Sequence, residues 1–331
     1  MDSSGLMNAE AYADDRLCLL CLASLEGVGA ASLHRLLTGA RGAAGPLRRL
    51  LELPAGELTA RFGIPAQVAC ILASVEDPLL KGEAVLELLS QLEARPVFEG
   101  DPDYPAALVE HLGASAPAVV FLGGNPRILR EPCVAVVGSR QPSPAAACAA
   151  LTFAAQQAAQ GVTVVSGGAQ GIDSAAHRGA LSTGASVVVP TAGIARFEWP
   201  GIVLPDLSRG SWCVLGQFPP AVGWRRHNAL IRNRTIVALS GAVVAFEPRD
   251  TGGTWHSCLT ALRMNKPLFV ASTCASAAQR RGLRQLVRFG AAALDLRHMP
   301  EHAAFEELVR AYCPPPGALQ LPLFEVPDEL P

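Results

Sequence analysis

Between residue 16 and about residue 75, apolar positions recur at helical spacing in short bursts, each closed by glycine or proline: LASLEGVGAASLHRLL, GPLRRLLELP and PAQVACILASVEDP. A stripe three or four residues wide per two turns buries one face, and the breakers end each burst, so the pattern predicts a small helical unit. Gly27-Val28-Gly29 lies between two such bursts. It has the composition of a helix-hairpin-helix turn, where amides at a helix N-terminus hold a nucleic-acid phosphate, and equally that of an ordinary helical turn. From Pro96 the period changes: the runs AVVFLGG, CVAVVGSR, VTVVSGG, SVVVPTAG, SWCVLGQ, AVVAFEP and KPLFVAS alternate with Ala-rich or amphipathic helical stretches. Strands apolar on both sides predict a sheet covered on both faces, mainly parallel and doubly wound, in which ligands bind at the carboxyl ends of the strands. Beyond Pro300 one short helix precedes CPPPGALQLPLFEVPDELP, too rich in proline to pack. The expected divisions are 1–78 (helical), 79–298 (α/β sheet) and 299–331 (short helix and mobile tail).

Composition narrows the class. Half of the 331 residues are apolar and 17% are charged, the balance of a globular protein, and no apolar run reaches the roughly 18 residues of a membrane span. Asp2, Glu10, Asp14 and Asp15 precede the first apolar run, the reverse of a basic secretory signal, so a cytoplasmic location is expected. The nine cysteines are scattered and odd in number, which reads as reduced core thiols; Cys18 and Cys21, within LCLLCLASL, read as a buried helix face and not as a metal site. A net charge of -2 gives no global attraction for nucleic acid, so any such binding rests on local basic patches.

Three strand-to-helix turns carry small residues at their tips: Gly138-Ser139-Arg140, the stretch from Ser166 through Gly167, Gly168 and Gly171, and Thr251-Gly252-Gly253-Thr254. Converging on one crevice, they offer backbone N–H groups and helix N-termini to a phosphate. Neither G-x-G-x-x-G nor G-K-[ST] is present at the first turn, so no dinucleotide cofactor and no Mg-ATP mechanism is expected. Asp173 and His177, at i, i+4, share a helix face and read as structural or ligand-orienting. In WRRHNALIRNRTIVALSG, Arg225, Arg226, Arg232, Asn233 and Arg234 crowd a helix start beside Trp224, the chemistry of phosphate forks and base stacking. Arg281, Arg284 and Arg288 form a second basic face.

On these residues the segment from about 96 to 296 resembles the DNA processing protein A family, DprA or Smf, a Rossmann-like group. The likeness rests on SGGAQGID followed by AAHRGAL, on DPDYPAAL, PAVVFLGGNPRIL, VAVVGSR and RNRTIVALSGAVVAFE, and on GLRQLVRFGA. The resemblance implies an extended Rossmann-like domain with a helix-hairpin-helix or SAM-like unit before it. It also implies a non-enzymatic protein that binds single-stranded DNA, loads the RecA recombinase in transformation or recombination, and forms a homodimer. Carried over, the phosphate-facing positions are Gly138, Ser139, Arg140, Ser166, Gly167, Gly168, Gly171, Asp173, His177, Arg232, Asn233 and Arg234, with Thr251 to Thr254 completing the pocket.

The chain departs from the family pattern at Gly216-Gln217, where Ser-Glu is usual, at Ala229-Leu230-Ile231, where a Phe-Pro precedes the Arg-Asn-Arg, at VAST, and at Arg284. It reads as a divergent member without the winged helix that often follows. In the tail, Gln320, Leu321, Leu323 and Phe324 of QLPLF resemble the peptide that docks on the replication sliding clamp. The rival classes are a nucleotide phosphoribohydrolase of the LOG type and a nucleotide-sensing module. The first needs a catalytic glutamate that TGGTWHS does not supply.

Overall fold

In the computed structural model, which describes residues 3–43, 46–199 and 211–312, the chain begins with a cluster of short helices. These are α1 (Ser3–Ala23), α2 (Ala30–Ala43), α3 (Leu47–Leu51), α4 (Ala55–Phe62) and α5 (Ala66–Ala73). Pro46, Pro54 and Pro65 hold the chain extended immediately before α3, α4 and α5, because the ring fixes φ and no N–H is lost to a helix that has not yet begun. Cys18, Leu22, Leu36, Leu58 and Leu72 are fully buried at the centre of the cluster. Cys18 and Cys21 lie on the buried face of α1, and burial pushes the Cys18 thiol up to about 11.

Helix α6 (Pro78–Gln91) is capped by Asp77, whose carboxylate accepts from Leu80 N at 3.1 Å. It packs along α1, with Gly82 against the Leu17 carbonyl, where a Cβ would come within 2.4 Å of the oxygen. This helix packs on α1 and, through Leu89, against Phe98, Val119 and Phe121, and it leads into the first strand.

Among the described residues nine strands form one sheet: β1 (Ala94–Phe98), β2 (Val119–Gly124), β3 (Cys133–Gly138), β4 (Thr163–Gly167), β5 (Ala185–Val189), β6 (Ser211–Gly216), β7 (Ala242–Phe246), β8 (Leu268–Ala271) and β9 (Ala292–Leu294). Their order is β1-β2-β6-β5-β4-β3-β7-β8-β9; the β1–β2 and β2–β6 pairings are antiparallel and the rest parallel. The connecting helices are α7 (Ala106–Leu112), α8 (Pro144–Ala159), α9 (Ile172–Thr183), α10 (Arg226–Leu239), α11 (Gly253–Arg263), α12 (Ala277–Arg288) and α13 (His302–Ala311). Successive strand residues point to opposite faces. Val137, Val165 and Val243 enter the core under α10 and α11, while Val136, Val164 and Val244 enter the core under α8 and α9. Both sets are buried, which is why the strands read as unbroken apolar runs.

This is the doubly wound, mainly parallel α/β fold with a helical unit before it. From β3 the chain crosses through α8 to β4 on one side, whereas β7 pairs with β3 on the other. The strand order reverses there, opening a crevice at the carboxyl ends of β4, β3 and β7. Among the described residues no helix is long and apolar enough to cross a membrane.

Candidate nucleic-acid interface

The three small-residue turns follow β3, β4 and β7, which are adjacent in the sheet, and they meet. Ser139 N donates to Phe246 O at 3.2 Å and Ser139 O accepts from Ile172 N at 3.1 Å, so the first turn is bonded to the start of α9 and to the end of β7, from which the third turn follows. Gly171 has φ +88, and a Cβ there would fall 2.4 Å from Ser139 O; the positive φ and the contact each require glycine. The turn after β7 opens α11 at Gly253, with Thr251, Gly252 and Gly253 exposed. The N-termini of α9 and α11 thus point into one rim, where their first-turn amides have no intrahelical acceptor.

Below the rim lies a buried ion pair. Arg232 Nη1 stands 3.7 Å from Asp173 Oδ2, with both side chains less than a tenth exposed. The guanidinium lies over Gly167 so closely that a Cβ there would overlap Nη1. Burial pushes the Asp173 carboxyl above its ordinary value against the pull of Arg232 and the Ala169 amide. Burial likewise lowers Arg232 against the pull of Asp173. Arg232 Nε is buried with no hydrogen-bond partner among the described residues, so the pair leaves part of the fork unsatisfied. Arg140 is exposed at the rim, near enough for its charge to bear on both members of the pair.

Tethers hold the rim from beneath. Asn233 Nδ2 donates to Gly253 O at 3.1 Å, tying α10 to the third turn. Glu247, with φ +51 at the end of β7, accepts from Ser143 N at 2.9 Å, Ser143 Oγ at 2.7 Å and Thr273 Oγ1 at 2.6 Å. Burial pushes this carboxyl up, but the hydrogen bonds outweigh it and hold the group below the ordinary range. A strand end, the start of α8 and the loop after β8 are thereby joined at one carboxylate.

Comparison with known proteins meets this geometry. Residues 95–302 match the family described as DNA recombination-mediator protein A. The chain belongs to this family. Among curated relatives, the DNA processing protein DprA of Streptococcus pneumoniae is 31% identical over 171 residues, covering 51% of this chain and 60% of that protein. Protein Smf of Escherichia coli is 31% identical over 157 residues, covering 46% and 42%. The chain spans about half the length of the curated relatives it matches. The X-ray structure of DNA processing protein A from Streptococcus pneumoniae is similar with a TM-score of 0.67 at 23% identity, covering 85% of this chain and 94% of that one. DNA processing protein A from Helicobacter pylori, described for its single-stranded DNA binding mode, has a TM-score of 0.56 at 23% identity, covering 67% and 98%. At these identities the structures speak for the fold.

Within this family member the residues singled out from the sequence divide into groups. Gly138, Ser139, Arg140, Gly167, Gly168, Gly171 and the Thr251–Thr254 turn come together at the rim, with Asp173, Arg232 and Asn233 directly under it. Ser166 and His177 are buried beneath it. Ser166 Oγ donates to Val136 O at 2.5 Å inside the sheet and lies beside the Asp173 carboxylate under the rim. His177 is fully buried, its Nε2 2.8 Å from Gly167 O and its Nδ1 2.8 Å from Ser186 Oγ. A carbonyl only accepts, so Nε2 carries the proton and Nδ1 accepts from Ser186. Burial lowers the ring's pKa to about 4. It is a neutral fastener between α9 and two strands, below the crevice.

Arg225 and Arg234 also point elsewhere. Arg225 forms an ion pair with Glu26 of the helical cluster, and Arg234 lies about 200° around α10 from Arg232. Arg226 and Trp224 are exposed where α10 begins. Two aromatic residues escaped the sequence reading: Phe197 lies beside Gly168, and Trp199 packs edge-on against Phe197 at 5.4 Å and against His177 at 5.5 Å. The available signal was the Phe-x-Trp spacing after β5. The clamp-like residues Gln320, Leu321, Leu323 and Phe324 lie outside the described residues.

Proposed function

We propose that the chain binds single-stranded DNA along this rim, holding the sugar-phosphate backbone without reading bases, and acts in recombination by presenting the strand to the RecA recombinase, as a homodimer. The observation that carries the reading is the set of three small-residue turns at the ends of the adjacent strands β4, β3 and β7 above the buried Arg232, whose Nε has no partner among the described residues, with Arg140 at the edge. Backbone amides and guanidinium groups suit phosphates of any sequence, and the half-buried rings of Phe197 and Trp199 supply faces on which a base can stack. Family membership and the strand-binding relative from Helicobacter pylori point the same way.

We read the site as non-catalytic. Two carboxylates beneath the crevice are engaged: Asp173 with Arg232 and the Ala169 amide, and Glu247 with three donors. Cleavage of a nucleotide's glycosidic bond needs a carboxylate that faces the sugar, and the third turn offers Trp255 and His256 instead. Incubation with AMP is expected to release no adenine.

The test is fluorescence anisotropy of a labelled oligo-dT across a salt series. Affinity falls with salt at a slope of about -0.7 per phosphate neutralised on a single strand. Arg140→Ala is expected to weaken binding and to take about 0.7 from that slope. Unchanged affinity and slope in the variant, or a flat salt response in the wild type, contradict the reading.

A further inference from the structure

Helix α10 has a second working face. His227, Ile231 and Arg234 follow one another at helical spacing on the side away from Arg232, and they wall a cavity of about 560 Å³ between the sheet and the helical cluster. This falls within the roughly 300–1,000 Å³ of small-molecule sites. Opposite stand Gly27, Gly29 and Ala31 at the start of α2, with Val28, Val68 and Phe218 giving apolar sides. Among the described residues Glu26 is the one carboxylate of the lining, and it is paired with Arg225; partly buried His227 adds a polar group to the α10 wall. The Arg225–Glu26 pair is exposed on both sides, so rearranging it to admit a ligand costs little.

We propose that this seam is a second binding site, for a nucleoside monophosphate, free or at the end of a strand, with the base on the apolar sides and the phosphate at Arg225 and the first-turn amides of α2. An apolar enclosure with a guanidinium and helix N-terminal amides at one end matches a flat ring carrying an anionic group. The site goes beyond the strand-binding rim and stands without it. Both share α10, whose opposite faces serve the two.

The probe is labelled dAMP in equilibrium dialysis with the full chain, together with hydrogen exchange. Saturable binding is expected, with slowed exchange at residues 29–33 and 227–235. Gly29 has no positive φ and a Cβ there meets nothing within 4 Å, so Gly29→Leu adds bulk to the lining without strain. It is expected to weaken dAMP binding at least tenfold. Displacement of dAMP by a short oligonucleotide assigns the site to a strand end, and failure to displace it assigns the site to the free nucleotide; both retain the site. Absence of saturable binding, equal binding by the variant, or protection confined to residues 167–171 overturns the proposal. Should Gly29→Leu not fold, the wild-type exchange pattern decides alone. Strand binding that persists without dAMP binding removes this site and leaves the rim's function standing.

Discussion

Arg232→Met separates the rim's architecture from its chemistry. The substitution keeps an apolar stem in the space over Gly167 but removes the guanidinium 3.7 Å from Asp173. The carboxylate, less than a tenth exposed, is left with the Ala169 amide at 3.4 Å and the neighbouring Ser166 hydroxyl. Removing one partner of a buried pair costs about 3–5 kcal/mol. For a domain of this size that lowers Tm by roughly 10 °C. The loss has a pH signature. Without Arg232 the folded carboxyl sits still further above its unfolded value of 3.8, so the folded state holds its proton more tightly than the unfolded one. Stability contributed in acid is lost as pH rises through the folded pKa, and the deficit against wild type shrinks as pH falls. Asp173→Leu combined with Arg232→Met removes both charges and is expected to recover most of the stability, since apolar replacement of a whole buried pair is often neutral or better. The recovered protein should still bind oligo-dT more weakly, with about 0.7 less salt slope. Thermal denaturation at pH 7 and pH 5 on the single and double variants checks each step. A single variant as stable as wild type at pH 7, or a double variant less stable than the single, refutes the reasoning.

His177 carries a second pH dependence of opposite sign. Its folded pKa is lowered from 6.5 to about 4, so the unfolded chain takes up a proton that the folded chain refuses, and stability falls by about 3 kcal/mol as pH drops from 7 to 4. His177→Phe should flatten that part of the denaturation curve, and an unchanged pH profile counts against the assignment. Phe197→Ala removes a half-buried ring beside Gly168 and should weaken oligo-dT binding by about 1–3 kcal/mol, roughly five- to 160-fold, with little change in salt slope, as anisotropy will show. Leu323→Ala with Phe324→Ala should abolish retention on an immobilised sliding clamp; equal retention by variant and wild type ends that proposal.

Much of the fold was legible because its signals are local. Val136 and Val137 point to opposite faces and are both buried, so the alternation of a half-exposed strand never appears, and the parallel sheet is visible in the run itself. The turns were legible for a similar reason: the contact of Gly171 with Ser139 admits no side chain, and glycine marks it. The helix from Arg226 was harder to read. Arginines two residues apart face opposite ways, and which one meets the crevice depends on the rotation of α10 against the sheet and on Glu26, 199 positions before Arg225. Composition sees a cluster where the fold makes two walls. His177 shows the same limit, since only the neighbouring strand reveals that Ser186 occupies its second nitrogen. Phe197 and Trp199 follow β5 in sequence but reach the turn after β4 in space, a juxtaposition set by strand order.

The Glu247 knot bears on how the rim meets its guest. A carboxylate gripped by three donors from two other segments ties the end of β7 to the start of α8 and to the short loop after β8. A surface immobilised in this way has little disorder to surrender on contact. On the proposed strand-binding reading, indifference to sequence arises from that stiffness: a fixed edge fits the repeating part of the polymer and not its bases.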